Sequence, residues 1–317
     1  MNLETKYLGL RLRNPIILGS SPLCDDVDAA KRLEDEGVAA LVMRSLFEEQ
    51  FTPDSAEKFE AGFPSLQEYT FRPDEYLRQL EQLKKAVTIP VIASLNGRNP
   101  GGWNVFAQRL AAAGADAIEL NCYHVATEPE AAGHDSETEM MTVLRDVVQS
   151  VRIPVSVKLS PFHTSPADTA VALDHAGCAG LVLFNRFYQP DIDIETLAVH
   201  PQLRLSDSSE LLLRLRWLAI LSPLVRGSLA ATGGIHTAED MIKALLVGAD
   251  AVQLVSLVLR QGPDVVPGLL ASLQSWMTRH GFHSLADFRG KLDLTHCPDP
   301  AAFERANYVR TLRSWKA

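Results

Sequence analysis

Residues Leu110–Asn121 read LAAAGADAIELN, and the order of residue types in that stretch decides the fold. An alanine-rich helical segment ends at Gly114, small residues follow, and the apolar run after them is too short for a helix but suits a buried strand. Glycine fits the junction because a left-handed residue ends a helix there at little steric cost. The same plan recurs in Leu33–Arg44 (LEDEGVAALVMR), Leu173–Asn185 (LDHAGCAGLVLFN) and Leu246–Val255 (LVGADAVQLV). Their glycines, Gly37, Gly177 and Gly248, keep intervals of roughly 60–80 residues, the mark of an internal repeat.

A second set of apolar runs lies between these units. Ile89–Leu95 and Ile153–Leu159 are strands opened by proline, and Asn14–Ser20 and Ser228–Ile235 hold the same phase. Eight strand candidates therefore alternate with helical stretches, among them Val105–Ala113, Ser165–His175 and Thr237–Val247, the last two behind a Ser or Thr cap. Alternation of this kind at about 35 residues per unit predicts parallel strands with helices outside, an α/β fold of the (β/α)8 TIM-barrel type. A doubly wound open sheet is disfavoured, since no Gly-x-Gly-x-x-Gly follows any strand. Leu3–Leu12 alternates apolar and polar residues as a hairpin closing the barrel bottom would. With no Pro/Gly/Ser linker, residues 1–317 are expected to form one domain. Two long connections, Phe47–Phe71 and Phe187–Asp207, follow strand C-termini, the face on which barrel enzymes build their sites.

Composition narrows the function. Apolar residues at 46% and charged residues at 22% are ordinary for a soluble globular chain. A net charge of −9 has the wrong sign for a general nucleic-acid or anionic-membrane binder. Cys24, Cys122, Cys178 and Cys297 are far apart, so no metal site or cluster is expected from them. The longest apolar run, Leu211–Leu224, is broken by Arg214, Arg216 and Pro223 and cannot span a bilayer. Without a signal-like start, a cytoplasmic location is expected.

Polar residues gather at the predicted strand ends: Gly19 and Ser20, Arg44 and Ser45, Asn121 to His124, Lys158, Asn185 and Arg186, Thr232 to Gly234, and Gln253 with Ser256. Together they predict one polar mouth. The Thr232-Gly233-Gly234 turn, shortly before the helix capped by Thr237, is the usual phosphate position in barrels. Lys158 lies within an apolar strand, where an ammonium is costly without an acceptor. It is either a Schiff-base amine or a fixed cation facing a cofactor or intermediate. His124, just past the fourth strand, is a candidate acid/base.

These residues resemble a family. Asn14-Pro15 with Gly19-Ser20-Ser21, Glu119-Leu120-Asn121, Val157-Lys158-Leu159, Ala231-Thr232-Gly233-Gly234-Ile235 and the tail Ser284–Leu292 are similar, in order and spacing, to the soluble class 1 dihydroorotate dehydrogenases. The resemblance implies FMN on the barrel mouth, its phosphate at Gly233, Gly234 and Ser256. Gly19, Ser20, Ser45, Asn121 and Lys158 would contact its ring, the lysine at the N1/O2 edge where reduction builds negative charge. The family's loop after the fourth strand reads Asn-x-Ser-Cys-Pro-Asn with a catalytic cysteine, whereas this chain has Asn121-Cys122-Tyr123-His124-Val125-Ala126. An ungapped match puts His124 at the base position and leaves Cys122 as its rival. Arg44 replaces the family lysine after the second strand, Arg186 a serine and Val255 a phosphate-loop glycine. With Asn185, the two arginines are the candidate contacts to an anionic small-molecule substrate. The expected activity is oxidation of dihydroorotate or a related CH–CH substrate in pyrimidine biosynthesis, by a homodimer, with an iron–sulfur protein as possible electron partner. The alternatives are a flavin-free phosphate-binding lyase or isomerase using Lys158, and a catalytically silent flavin-binding partner protein.

Overall fold

The structure, a computed structural model, describes residues 1–50, 71–97, 102–123, 125, 133–186 and 188–314, with the backbone alone for 133–135. A hairpin of β1 (Thr5–Tyr7) and β2 (Leu10–Leu12) opens the chain. Then follow β3 (Ile16–Leu18), α1 (Val27–Asp35), β4 (Ala40–Phe47), α2 (Pro73–Ala86), β5 (Val91–Asn96), α3 (Trp103–Ala112) and β6 (Ala117–Asn121). The second half brings α4 (Gly133–Ser150), β7 (Val155–Leu159), α5 (Pro166–His175), β8 (Gly180–Leu183), β9 (Asp191–Asp193), β10 (Ala198–His200) and α6 (Leu211–Leu221). It ends with β11 (Ser228–Thr232), α7 (Ala238–Leu246), β12 (Ala251–Leu254), α8 (Ser256–Gln261), α9 (Val265–His280) and α10 (Asn307–Ser314). Strands β3 to β8, β11 and β12 close into a parallel barrel, β11 pairing with β8 and β12 with β3. Each of the eight expected strands is present. Gly37, Gly114, Gly177 and Gly248 all have φ between +96° and +109°, the left-handed helix ends expected of the repeat.

Two apolar clusters hold the barrel. The larger lies between strands and helices; the smaller fills the lower barrel, where Tyr7, Leu8 and Leu12 of the hairpin pack against Ile17, Ala40 and Ala117. The hairpin is thus the plug that its alternation predicts. Above the plug, Ser94, Glu119 and Ser156 lie side by side in register, all buried, and begin a polar layer. Apolar side chains below and polar ones above set the depth of the mouth.

The Phe187–Asp207 connection departs from a plain loop. It carries the antiparallel pair β9–β10 and leaves Ile192, Leu197 and Val199 exposed. Runs of three residues at either end of a turn are too short to signal strands by alternation. Its last stretch returns to the mouth, where the Ser206 amide donates to Ser256 Oγ at 3.1 Å and Arg260 donates to the Leu205 carbonyl at 3.1 Å. Ser165 makes no side-chain cap bond; Pro166 occupies the first turn of α5 instead. The central part of the Phe47–Phe71 connection lies outside the described residues. Among the described residues, no helix is long and apolar enough to cross a membrane.

Asp174, near the end of α5, ties that helix to the start of β11. It accepts from the amides of Gly227 at 2.8 Å and Arg226 at 3.1 Å, and from Arg226 Nε at 3.1 Å. Burial pushes its carboxyl up, but the Gly227 and Arg226 donors outweigh that and hold it below the usual carboxylate range. Arg226 is exposed, so the backbone donors dominate the stabilisation. Asp174→Ala should destabilise the chain by on the order of 3 kcal/mol at neutral pH, read from the urea midpoint. A depressed carboxylate pKa contributes stability above about pH 4, lost as pH falls through the folded value. The gap between wild type and variant should therefore narrow in acid.

Candidate active site

The strand ends converge on a cavity of about 280 Å³ lined by Ser20, Lys158, Asn185, Arg186, Gly233 and Ser256, among others. Small-molecule sites run from roughly 300 Å³ upward, so the cavity is of suitable size. Lys158 and Gln253, the partners of Glu119 in the polar layer, line it from below. Lys158, with 8% exposure, sends its ammonium to 3.7 Å from Glu119 Oε1. Glu119 is fully buried, and its Oε2 accepts from Gln253 Nε2 at 2.6 Å across the barrel. Lys158 thus has a carboxylate as ion-pair partner, too distant for a hydrogen bond, and Lys158 also lines the cavity.

Ser20, Ser45 and Ser94 form a hydroxyl chain, with Oγ separations of 3.4 and 2.7 Å. Asn185 Nδ2 donates to Asn121 Oδ1 at 2.6 Å, which orients both amides at the ends of β6 and β8. Gly19 packs so closely that a Cβ would lie 2.8 Å from Val255 Cγ2. Val255 lines the cavity, and the close approach depends on Gly19 having no side chain.

At the other end, Gly233 and Gly234 have φ of +80° and +81°. A Cβ on Gly233 would lie 2.8 Å from Arg214 Nη2, and one on Gly234 would lie 2.5 Å from the Leu211 amide nitrogen. Thr237 and Asp240 cap α7 reciprocally, as their spacing predicts. The Ser256 hydroxyl accepts from Ser206 and keeps its own hydrogen for donation.

Of the residues expected at the mouth, Gly19, Arg44, Ser45, Asn121 and Cys122 are not among those that line the cavity. Arg44 does not border the cavity: its guanidinium is held by Asp25, with Nη2 to Oδ2 at 2.5 Å and Nε to Oδ2 at 3.1 Å. A bulge in β4 between Val42 and Ser45 brings Ser45 rather than Arg44 onto the inner row. Arg186 borders the cavity at the glycine-turn end, where it shares Glu210 with Arg214. Cys122 packs against the apolar core, and burial, reinforced by Glu48, pushes its thiol up to about 12. His124 lies outside the described residues.

Gln253 lines the cavity as its strand-end position predicts, and Arg214, Glu210 and Ser206 also line it, none of these three with a site role predicted from the sequence. In LLLRLRWLAIL the arginines read only as interruptions of an apolar run. Another unpredicted group is His163, after β7, with Nδ1 3.8 Å from Glu137 Oε1 and a buried, unpaired Nε2. Burial lowers its pKa, against the pull of Glu137. It does not border the cavity.

Comparison with known proteins adds to this geometry. The family profile described as dihydroorotate dehydrogenase matches residues 2–277. The chain is 30% identical to the dihydroorotate dehydrogenase A (fumarate) of Limosilactobacillus reuteri, over 90% of this chain and 96% of that one. It is 25% identical to the catalytic subunit of dihydroorotate dehydrogenase B (NAD(+)) of Thermoplasma acidophilum, over 91% and 98%. It is also 25% identical to the chloroplastic dihydropyrimidine dehydrogenase (NADP(+)) of Arabidopsis thaliana, over 91% of this chain and 76% of the relative.

Proposed function

Because the chain belongs to the dihydroorotate dehydrogenase family, we propose that it is an FMN-dependent oxidoreductase that desaturates a CH–CH bond of a dihydropyrimidine. The observation that carries the reading is one cavity with Lys158 on its floor and a cationic glycine turn at its end. That layout fits a mononucleotide: the Gly233 turn packed on the Arg214 guanidinium, and Arg186 Nη1, a buried donor without a hydrogen-bond partner among the described residues, suit its phosphate. Gly233, Gly234 and Ser256 would hold that end, while Gly19, Ser20, Ser45, Asn121 and Lys158 would hold the ring. When bound, FMN supplies the two-electron acceptor.

The chain's own groups do the remainder. Lys158 keeps a positive charge beside the acceptor, in a floor too dry to screen it. Asn121 and Asn185, locked to each other, present amide groups of fixed orientation. His124 takes the proton that leaves the second substrate carbon as the double bond forms. The electrons then pass to an acceptor, by this reading an electron-transfer partner protein, and the chain works as a homodimer.

The substrate is dihydroorotate or an uncharged dihydropyrimidine. Pairing of Arg44 with Asp25 favours the second, because it leaves no arginine on the cavity wall away from the glycine turn among the described residues. Purified protein should be yellow and release FMN, not FAD. Its flavin band should bleach anaerobically with dihydroorotate, dihydrouracil or dihydrothymine. A chain that takes up no flavin on reconstitution refutes the proposal and returns Lys158 to the lyase alternative. Flavin that no dihydropyrimidine reduces would leave a silent binding protein.

A further inference from the structure

The geometry points to a phosphate clamp made by Arg186 and Arg214 across Glu210, a side-chain grip added to the backbone of the glycine turn. Arg214 is nearly buried, donating through Nε to the Thr232 carbonyl at 2.5 Å and through Nη1 to the Glu210 carbonyl at 2.6 Å. Those bonds fix the guanidinium plane and leave Nη2 under Gly233 and 3.9 Å from Glu210 Oε2. Arg186, three residues past β8, reaches the same carboxylate, Nη2 to Oε1 at 3.2 Å, while its Nη1 is buried with no hydrogen-bond partner among the described residues. Two guanidinium groups share one carboxylate, so the cluster carries an excess positive charge on the cavity wall.

Arg186 is partly exposed and lies 5.9 Å from the Tyr188 ring centroid, but a buried donor such as its Nη1 is costly unless an acceptor completes it. Arginine's planar fork matches phosphate oxygens, and a dianionic monoester has enough acceptors for both forks and the turn. The Gly234 amide of the turn makes a long bond to Ser206 Oγ, at 3.4 Å, which a phosphate oxygen would have to replace. Glu210 then has two roles. It aligns both arginines before the ligand arrives, and it competes with the phosphate for them afterwards. The assignment rests on the FMN reading for its ligand and goes beyond it in naming the groups that select phosphate.

The test measures binding of FMN and of riboflavin, which lacks the phosphate, to the flavin-free full-length chain, with inorganic phosphate as competitor. Wild type should prefer FMN strongly, and phosphate should displace it. Arg186→Gln should cut that preference about tenfold or more, since a hydrogen bond to a charged group is lost, and riboflavin binding should hold. Glu210→Gln should tighten FMN and leave riboflavin unchanged, an effect that a merely structural Glu210 does not produce. Arg214 carries backbone bonds of the fold, so the test relies on the other two positions. Wild-type selectivity in both variants overturns the clamp and leaves the FMN reading standing. A wild-type chain that binds neither flavin overturns both.

Discussion

Lys158→Met is expected to slow reduction of the bound flavin by about 10²–10³-fold, the usual consequence of removing one preorganised charge-stabilising group. The side chains are close in length, so the cavity keeps its shape and loses a charge. The magnitude depends on burial. In the dry floor beside Glu119, the ammonium acts through a low effective dielectric and cannot be replaced by solvent. The same burial brings a complication, because removing one partner of a buried pair leaves an uncompensated carboxylate and can cost ~3–5 kcal/mol. A second variant separates the two effects. Lys158→Met with Glu119→Gln restores neutrality in the floor and retains a group that can bond Gln253. It should recover most of the lost stability, measured by urea unfolding, and none of the lost rate, measured by anaerobic stopped flow. Unchanged reduction in both variants would remove Lys158 from the chemistry.

The barrel was legible because parallel strands covered on both faces read as continuous apolar runs, and because four helices end at glycine in the same phase. The mouth was legible as a set of polar residues at strand ends, and Lys158 in particular, since an ammonium inside such a strand demands an acceptor. What the local pattern did not hold was the pairing. Arg44 and Arg186 look alike as cations at strand ends, but Asp25 claims the first and Glu210 the second, each from an element reached only through the tertiary fold. Arg214 was harder still. Its burial is sustained by the Thr232 carbonyl, eighteen residues away, and nothing within α6 announces that partner. A short hairpin such as β9–β10 lacks the length over which alternation can be read.

His124→Ala is the other substitution with a large expected effect, a loss of about 10²–10⁴-fold in substrate-driven flavin reduction, the range for a positioned acid/base. The placement of its rivals strengthens the expectation. Burial pushes the Cys122 thiol up to about 12, which disfavours the thiolate that a cysteine base needs. His163 has its imidazole lowered by burial and hence neutral at pH 7, but it lies off the cavity. With imidazole as the base, the rate should rise at lower pH than it would with a thiol, since the ordinary values are ~6.5 and ~8.5. A base must lose its proton before it can accept one, which sets the sign: inactive in acid, with a plateau above neutrality. His124→Ala, Cys122→Ala and His163→Ala, each profiled from pH 5 to 9, decide among the three. Full activity in His124→Ala across that range, or a collapse confined to His163→Ala or Cys122→Ala, would overturn the assignment.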